Sequence, residues 1–440
     1  MADLAAYLPI EPDGNRNRLW IDRAFRAAAS DDDPAVLTRI LATRAESLLH
    51  RGDPAGWPAV GDIPWGATRP GQQLELVRAG KRLGQAALLL GHHRRAESLL
   101  QDAERLRREL QHERFSVGIA TVRAELEWRT GRWEGLPERA LSLVEACAEL
   151  PGLWASSQLV VSWLALSRGE LNQAERGFAT VLEKSREAGS LGLVGAASGL
   201  ARIHLAREQP EAAGKAVSLG VNALARCGLW TWADGVAPLA VDALLACGRT
   251  GEANDLTRQL ATGLRGRDAP AAAAALELCR AALAQVGGQH EAAVRGFAAA
   301  ECAWSRLPWP YEAARVRERR GRCLLADGDR DTGVECLLGT LSEFRRLRAE
   351  WDAARVKAAL RAHNVPFPEP WRGGRKGYGA QLSPREAQVA HLAATGKTNR
   401  EIAEALVISR HTAAHHVSAV LRKLALASRQ ELPPVAGHAR

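Results

Sequence analysis

Basic side chains, which can bind a polyanion, are concentrated near the C-terminus of this sequence. The 440 residues carry a formal net charge of +9. Residues 372–440 contain eleven Lys and Arg against four Glu and no Asp, so this stretch has a charge of +7 and the first 371 residues have only +2. A basic excess confined to one small folded unit is typical of a domain that contacts nucleic acid, because its cations neutralise phosphates.

Capping signals divide the basic stretch into helices. A Ser or Thr followed three residues later by Glu is a capping box, in which each side chain accepts a hydrogen bond from the backbone N–H of the other residue. The sequence has such boxes at Ser383 with Glu386, at Thr398 with Glu401 and at Ser428 with Glu431. Gly396 ends the first helix, and two prolines cut short the last one. Ser409 can cap a further, longer helix.

The two middle helices are predicted to form a helix-turn-helix. A short helix begins at Thr398 and ends near Leu406, an apolar turn follows, and a longer helix covers 410–424. In this layout the longer helix lies in the major groove of double-stranded DNA. One of its faces should pack on the first two helices through Ala413, Val417, Val420, Leu421 and Leu424. The opposite face can reach DNA through Arg410, His411, Ala414, His415, Ser418 and Arg422.

The segment 382–432 resembles the LuxR-type helix-turn-helix family over about 50 residues. The resemblance is carried by Leu382, Pro384, Arg385, Glu386, Gly396, Asn399, Glu401, Ile402, Ala403, Ile408, Ser409, Thr412, His416, Lys423, Leu424 and Arg429. It implies a C-terminal domain of four helices that binds promoter DNA as a homodimer at paired half-sites. It also implies that Thr412 and Arg400 contact phosphates and that Ala414, His415 and Ser418 face base edges. Three positions depart from the family pattern, because Ala413 stands for the usual Val, Ala414 for Lys and Ala425 for Gly.

Double-stranded DNA is therefore the predicted partner of this segment. The helix starts at Thr398 and Ser409 also offer backbone N–H groups to phosphates, although capping alone explains both residues. The loss of a Lys at position 414 removes one charged contact. The predicted DNA-binding residues are Lys397, Thr398, Asn399, Arg400, Ser409, Arg410, His411, Thr412, Ala414, His415, Ser418, Arg422 and Lys423.

The sequence gives little support for nucleotide binding, metal binding or catalysis. The run from Gly396 to Thr398 looks like the tail of a phosphate-binding loop, but His391 stands where that loop needs Gly. The large LuxR-type activators with helical repeats carry a nucleotide-binding domain first, and we expect this chain to lack it. His415 with His411 has a metal-ligand spacing, but no acidic or Cys partner is near in sequence. We predict no cofactor, no metal and no catalysis.

Residues before 364 show a repeat of about 40 residues with helical spacing of apolar side chains. Its marker is Gly at 52, 91, 131, 169, 248, 288 and 328, with Glu208 in the remaining slot. A small residue follows five positions later in six of eight units: Ala96, Ala174, Ala213, Ala253, Ala293 and Gly333. Gly permits the tight turn that ends one helix, and the small residue lets the next helix pack closely. Leu100, Phe178 and Phe297 then fill the space toward the neighbouring unit.

We therefore predict an all-α protein: a solenoid of about eight helical hairpins that resembles the tetratricopeptide family, followed by the helix-turn-helix domain. The predicted divisions are 1–364 for the solenoid, 365–381 for a linker rich in Pro and Gly, and 382–440 for the DNA-binding domain. The chain has thirteen Trp, mainly in the solenoid, which either pack its core or line a concave surface. The seven Cys form no C-x-x-C pair and are predicted to be small core residues.

The sequence favours a transcription regulator in which the solenoid senses an effector. The effector can be a protein, a peptide or a small molecule in the solenoid groove. The alternative is a protein-interaction scaffold with a weakened DNA-binding domain, which Ala414 supports. No segment has the ~18–20 continuous apolar residues of a membrane helix and no leader pattern opens the chain, so we expect no membrane partner and a cytoplasmic location.

Overall fold

Helices account for nearly all regular structure in the computed structural model. It describes residues 23, 24, 26, 33–186, 191–367, 382, 384–406, 408–424, 426 and 428–432. The capping box at Ser383 therefore lies outside the described residues. Contacts between Cα atoms divide the chain into two units, Met1–Pro366 and Phe367–Arg440. No helix of the described residues is long and apolar enough to cross a membrane.

The first unit is a succession of helices joined by short turns. Its first half contains α1 (Pro34–His50), α2 (Gly56–Gly61), α3 (Pro70–Leu90), α4 (His93–Glu109), α5 (Ser116–Arg129), α6 (Leu136–Ala146), α7 (Pro151–Arg168) and α8 (Leu171–Arg186). Its second half contains α9 (Leu191–Ala206), α10 (Pro210–Cys227), α11 (Val236–Ala246), α12 (Thr250–Gly263), α13 (Pro270–Val286), α14 (His290–Arg306), α15 (Pro310–Ala326), α16 (Arg330–Arg346) and α17 (Glu350–Ala362). Consecutive helices pack on each other as hairpins, from α1 with α2 to α15 with α16, and α17 follows as a single last helix.

The turn inside each hairpin has the left-handed conformation that the repeat predicts. All eight marker positions have positive φ, including Glu208 at 58°, the slot without a glycine. The small residues after the markers are fully buried at Ala96, Ala174, Ala213, Ala253 and Ala293. At Gly333 a Cβ would lie only 3.0 Å from the carbonyl oxygen of Gly321. The predicted helical hairpins and the reason for their close packing are therefore confirmed.

The solenoid also packs on itself over a longer distance. Gly91, at the end of α3, lies against Ala271 of α13, where an added Cβ would be 3.0 Å from the backbone nitrogen. Gly131 meets Pro310 in the same way. Each contact joins residues about 180 positions apart, which shows that four to five hairpins complete one superhelical turn. Successive turns of the superhelix are therefore in contact.

Polar contacts reinforce this packing near the first hairpin. The hydroxyl of Thr231 donates to the carbonyl of His50 at 2.8 Å, and the backbone N–H of Asp268 donates to the carbonyl of Gly52 at 2.8 Å. The indole N–H of Trp57 donates to the carboxylate of Asp268 at 2.8 Å. These bonds hold the start of the solenoid to its second half.

The second unit contains α18 (Pro384–Ala394), α19 (Asn399–Leu406) and α20 (Arg410–Lys423). Buried side chains from the three helices form one core: Val389, Ala393, Ile402, Ala403, Ala413, Val417 and Val420, with Leu432. The predicted fourth helix is, within the described residues, a single 3-10 turn over Arg429–Glu431. The Ser428 hydroxyl donates to the Glu431 carboxylate there at 3.2 Å, but no side-chain hydrogen bond to the backbone caps this described turn, so the predicted capping box is not formed in this form.

Candidate nucleic-acid interface and solenoid cavity

The short helix α19 begins with the predicted capping box. The backbone N–H of Thr398 donates to the Glu401 carboxylate at 2.6 Å, and the N–H of Glu401 donates to the Thr398 hydroxyl at 3.3 Å. The hydrogen bond from the Thr398 backbone holds the pKa of Glu401 below its usual value. A charged carboxylate at this helix start is favoured by the backbone N–H groups and the positive end of the helix dipole.

The longer helix α20 begins at a second predicted cap. Ser409 has an extended backbone, and its hydroxyl accepts from the N–H of Thr412 at 3.0 Å. The hydroxyls of Ser409 and Thr412 are also 2.8 Å apart. Both hydroxyls therefore lie together at the exposed start of the helix that is predicted to enter a groove.

One face of α20 is packed against α18 and α19. Ala413, Val417 and Val420 are buried, and Leu421 is partly buried against the same core. The prediction that Leu424 shares this face is wrong, because 38% of its surface is exposed. The helix ends at Lys423, so Leu424 is the C-cap residue and does not continue the inward face.

The opposite face of α20 is open to solvent. The side chains of Arg410, His415, Ser418 and Arg422 are exposed, and those of Thr412 and Ala414 are half-buried. The backbone of His411 is helical, whereas its side chain lies outside the described residues. At the neighbouring start of α19, the side chains of Lys397, Thr398 and Arg400 are exposed, while that of Asn399 is half-buried. Twelve of the thirteen predicted DNA-binding residues are therefore exposed or half-buried, and the side chain of the thirteenth, His411, is not described.

The comparisons with known proteins agree with this geometry. Residues 380–436 match the family model of bacterial regulatory proteins of the luxR family. These residues are a LuxR-type helix-turn-helix domain. No match is found among curated proteins.

The fold of the first unit is also found in a solved structure, described as the crystal structure of a Rap protein complexed with competence and sporulation factor. The likeness has a TM-score of 0.59 at 10% sequence identity, and it covers 79% of this chain and 97% of that one. At this identity it shows the fold alone. The chain is thus a tetratricopeptide-like helical solenoid followed by the LuxR-type domain.

Arg429 ties the last turn of the LuxR-type domain to the start of α19. Its guanidinium donates to the side-chain oxygen of Asn399 at 3.2 Å and to the backbone carbonyl of Lys397. Asn399 is therefore occupied in holding the turn before α19, and its predicted contact with DNA would have to come from its remaining polar atom. The sequence pattern placed Arg429 in the family motif but did not indicate this structural role.

Lys423 forms an ion pair inside the LuxR-type domain. Its ammonium group lies 2.7 Å from the carboxylate of Glu386 on α18, and both side chains are largely covered. The pair joins the end of α20 to the start of α18. Lys423 was predicted as a DNA-binding residue, and the structure gives it this second interaction as well. The exposed Arg400 pairs with Glu404 at 3.1 Å on its own helix.

The solenoid contains a cavity of about 570 Å³ on the inner side of its superhelix. Five tryptophans line it: Trp128, Trp163, Trp232, Trp304 and Trp351. Charged residues line it as well: Arg129, Arg202, Arg315, Arg319, Arg322, Arg355, Glu125, Asp234, Asp242, Glu312 and Glu318. Trp309, by contrast, is fully buried and stacks on Trp304 with ring centroids 5.3 Å apart. Both alternatives for the tryptophans are therefore present in the solenoid, since some line the concave surface and others pack the core.

Ion pairs connect the cavity wall across the superhelix. Arg129 donates to Asp234 at 2.7 Å and Arg319 donates to Asp242 at 3.0 Å. Burial raises the pKa of Glu125, which is one of the residues that line the cavity. A wall of paired charges and indole rings can recognise a ligand by both polar and apolar contacts.

Proposed function

We propose that this chain is a transcription regulator whose LuxR-type domain binds promoter DNA and whose solenoid receives an effector. The observation that carries the proposal is the open face of α20 on a three-helix support, within a domain that matches the luxR family. A helix whose apolar side is fixed and whose polar side is exposed can enter the major groove without rearrangement of its support. We also propose a cytoplasmic location, where such a protein has access to a bacterial chromosome.

In this proposal the two helix starts bind the DNA backbone. The first turns of α19 and α20, which follow Thr398 and Ser409, offer backbone N–H groups where the helix dipole favours phosphate. Lys397, Asn399, Arg400 and Thr412 would add side-chain contacts to the same phosphates. Such contacts fix the position of the protein but carry no sequence information.

The middle of α20 would read the bases. Ala414 can contact a thymine methyl group, whereas His415 and Ser418 can donate or accept hydrogen bonds at base edges. The remaining predicted residues would supply positive charge along the groove: Arg410, His411, Arg422 and Lys423. Because Lys423 is already paired with Glu386, we expect it to contribute less to DNA affinity than Arg422 does.

Mobility shift of a short random-sequence duplex by the full chain tests this function. Binding should weaken steeply as salt rises, because released counterions drive the association. Arg400→Ala and Thr412→Ala should each weaken it, whereas Arg295→Ala, which removes an exposed arginine from the solenoid, should not. Equal binding by all four proteins would contradict the assignment of the site.

A protein-interaction scaffold is the second candidate function, and the solenoid favours it. A solved protein with this fold is described as complexed with competence and sporulation factor, so the fold can hold a partner. Deletion of residues 372–440 separates the two functions. A scaffold would keep its activity after the deletion, whereas a regulator would lose promoter occupancy.

We further propose that two copies bind paired half-sites. One LuxR-type domain offers only a handful of phosphate contacts, and the simultaneous binding of two raises the overall affinity without any new contact. Sedimentation of the protein with a duplex carrying a selected site should give two chains per duplex. A stoichiometry of one chain at saturation would contradict this part of the proposal.

A further inference from the structure

We propose that the solenoid cavity binds a small organic anion, in which a carboxylate or sulfonate is joined to a flat apolar body, and that Arg202 receives the anionic group. The inference rests on one part of the proposed function, namely that the solenoid is the region that binds the effector. It adds the chemical class of the effector and the place where it binds. Three observations carry it: one cluster of side chains with a local positive charge, a set of unpartnered donors and a group of indole rings.

The excess of charge is found where α9, α15 and α17 meet. Arg202 donates to the buried Asp352 at 2.7 Å, and Arg355 donates to the same carboxylate at 2.8 Å. Arg355 also donates to Glu318 at 2.8 Å, and Arg322 donates to Glu318 at 3.1 Å. This anion-site cluster contains three arginines and two carboxylates, so it has a net charge of +1. One anionic group would neutralise it.

Three residues of the cavity lining carry donors without a partner among the described residues. Arg202, Trp232 and Trp304 line the cavity, and their exposed fractions are 5%, 4% and 2%. The Nη1 atom of Arg202 and the Nε1 atoms of both indoles are buried without a hydrogen-bond partner. A buried donor without a partner destabilises a protein, so these three call for acceptor atoms from a ligand.

Indole rings lie beside the anion-site cluster. The guanidinium of Arg202 is 5.3 Å from the ring centroid of Trp351, and that of Arg355 is 5.7 Å from it. Trp128 and Trp163 stack with ring centroids 6.2 Å apart on the same cavity wall. A ligand whose anionic group binds Arg202 would therefore place its body among flat aromatic faces, which favour a ring or an apolar group.

The size of the cavity suits a small molecule. Its volume of about 570 Å³ is within the range of ~300–1,000 Å³ that is usual for small-molecule sites. The contacts of Gly91 and Gly131 with the next superhelical turn close the side of the solenoid.

A matched pair of fluorescent probes tests the proposal on the full chain. 8-Anilinonaphthalene-1-sulfonate has the required anion and rings, and N-phenyl-1-naphthylamine has the same rings without the sulfonate. We expect one sulfonate probe per chain, bound about tenfold or more tightly than the neutral probe, which is the usual effect of a hydrogen bond to a charged group. Binding would be measured by titration calorimetry.

Variants then locate the probe. Arg202→Gln should abolish the preference for the sulfonate, and Trp232→Phe or Trp304→Phe should weaken sulfonate binding several-fold by removing one donor while keeping a ring. Trp309→Phe is the matched control, because its Nε1 is equally buried and unpartnered but does not line the cavity. If Arg202→Gln fails to fold, the two tryptophan variants and their control still decide the question.

Two results would overturn the proposal. One is equal affinity for the charged and the neutral probe. The other is a loss of sulfonate binding in Trp309→Phe as large as that in Trp232→Phe. Duplex DNA binding, measured on the same preparations, keeps the two proposals separate. If the protein binds DNA but not the sulfonate probe, only the proposed effector class is rejected. If it binds the sulfonate probe but not DNA, only the proposed DNA-binding function is rejected.

Discussion

Arg202 and Asp352 form a buried ion pair of 2.7 Å although 150 residues separate them in the chain. Asp352 also accepts a hydrogen bond of 2.7 Å from the hydroxyl of Tyr311. The carboxylate therefore joins α9 and α15 to α17, the last helix of the solenoid. This network and the glycine contacts between superhelical turns together close the solenoid.

Asp352→Asn should destabilise the solenoid strongly. The change removes the charge that compensates Arg202 and Arg355, and the break of a buried pair costs about 3–5 kcal/mol. Glu97→Gln is the control, since Glu97 forms an exposed pair with Arg132 and should change the free energy of unfolding by less than about 1 kcal/mol. Urea unfolding followed by tryptophan fluorescence is the measurement, because no Trp lies in 372–440. An equal loss of unfolding free energy in the two variants would contradict the stabilising role of the network around Asp352.

The contribution of Asp352 should depend on pH. Burial alone would raise its pKa, but Arg202 and Arg355 outweigh burial and hold the pKa below the ordinary value of 3.8. A group with a lowered pKa in the folded state stabilises it fully above the unfolded value and loses that effect as pH falls through the folded value. The stability difference between wild type and Asp352→Asn should thus be constant from pH 7 to about 5 and shrink below pH 3.8. A difference that grows on acidification would contradict this.

Gly131 and Gly248 have the same φ of 73°, but substitution by alanine should destabilise the protein more at Gly131 than at Gly248. At Gly248 an added Cβ meets nothing within 4 Å, so only the strain of the left-handed conformation remains, about 1–2 kcal/mol. At Gly131 the Cβ would also lie 2.7 Å from Pro310 and 2.8 Å from Leu347, which should cost roughly 1–3 kcal/mol more. The same urea unfolding checks this. Equal destabilisation would mean that the superhelical turns do not press together at Gly131.

Ser409 offers a way to separate capping from DNA binding. Ser409→Ala should destabilise α20 by about 1 kcal/mol, because the Thr412 N–H loses its acceptor. Ser409→Asp keeps a good cap but brings a negative charge to the proposed phosphate site. Hydrogen exchange of the amides in 410–424 should therefore be faster only in the Ala variant, while DNA affinity should fall in both. Full DNA affinity in the Asp variant would show that Ser409 is a cap and nothing more.

The repeat was predictable because its signal is local. A left-handed turn needs Gly or a tolerated substitute, and Glu208 could be assigned from its spacing although its residue type gives no hint. The helix-turn-helix was predictable for the same reason, since the Thr398 and Ser409 caps lie within three residues of their partners. Leu424 was misplaced because the helix ends at Lys423, one residue before the predicted end, and sequence patterns locate helix ends poorly.

The cavity was not predictable from sequence patterns. It depends on the pitch of the superhelix, which decides that Gly131 meets Pro310 and that Arg202 meets Asp352. No local motif encodes pairings between residues so far apart in the chain. The pair of Lys423 with Glu386 was missed for a related reason, because each residue had a plausible local role, in DNA binding and in a capping box.

The salt dependence of duplex binding by the full chain is the sharpest test of whether α20 binds DNA. Arg410 and Arg422 lie on the open face of α20, where both would neutralise phosphates. The slope of log affinity against log salt concentration should become shallower by about 0.9 for each phosphate that is no longer neutralised. The double variant Arg410→Ala/Arg422→Ala should therefore have a slope that is shallower by nearly two units. An unchanged slope and affinity in that double variant would contradict the placement of α20 on DNA.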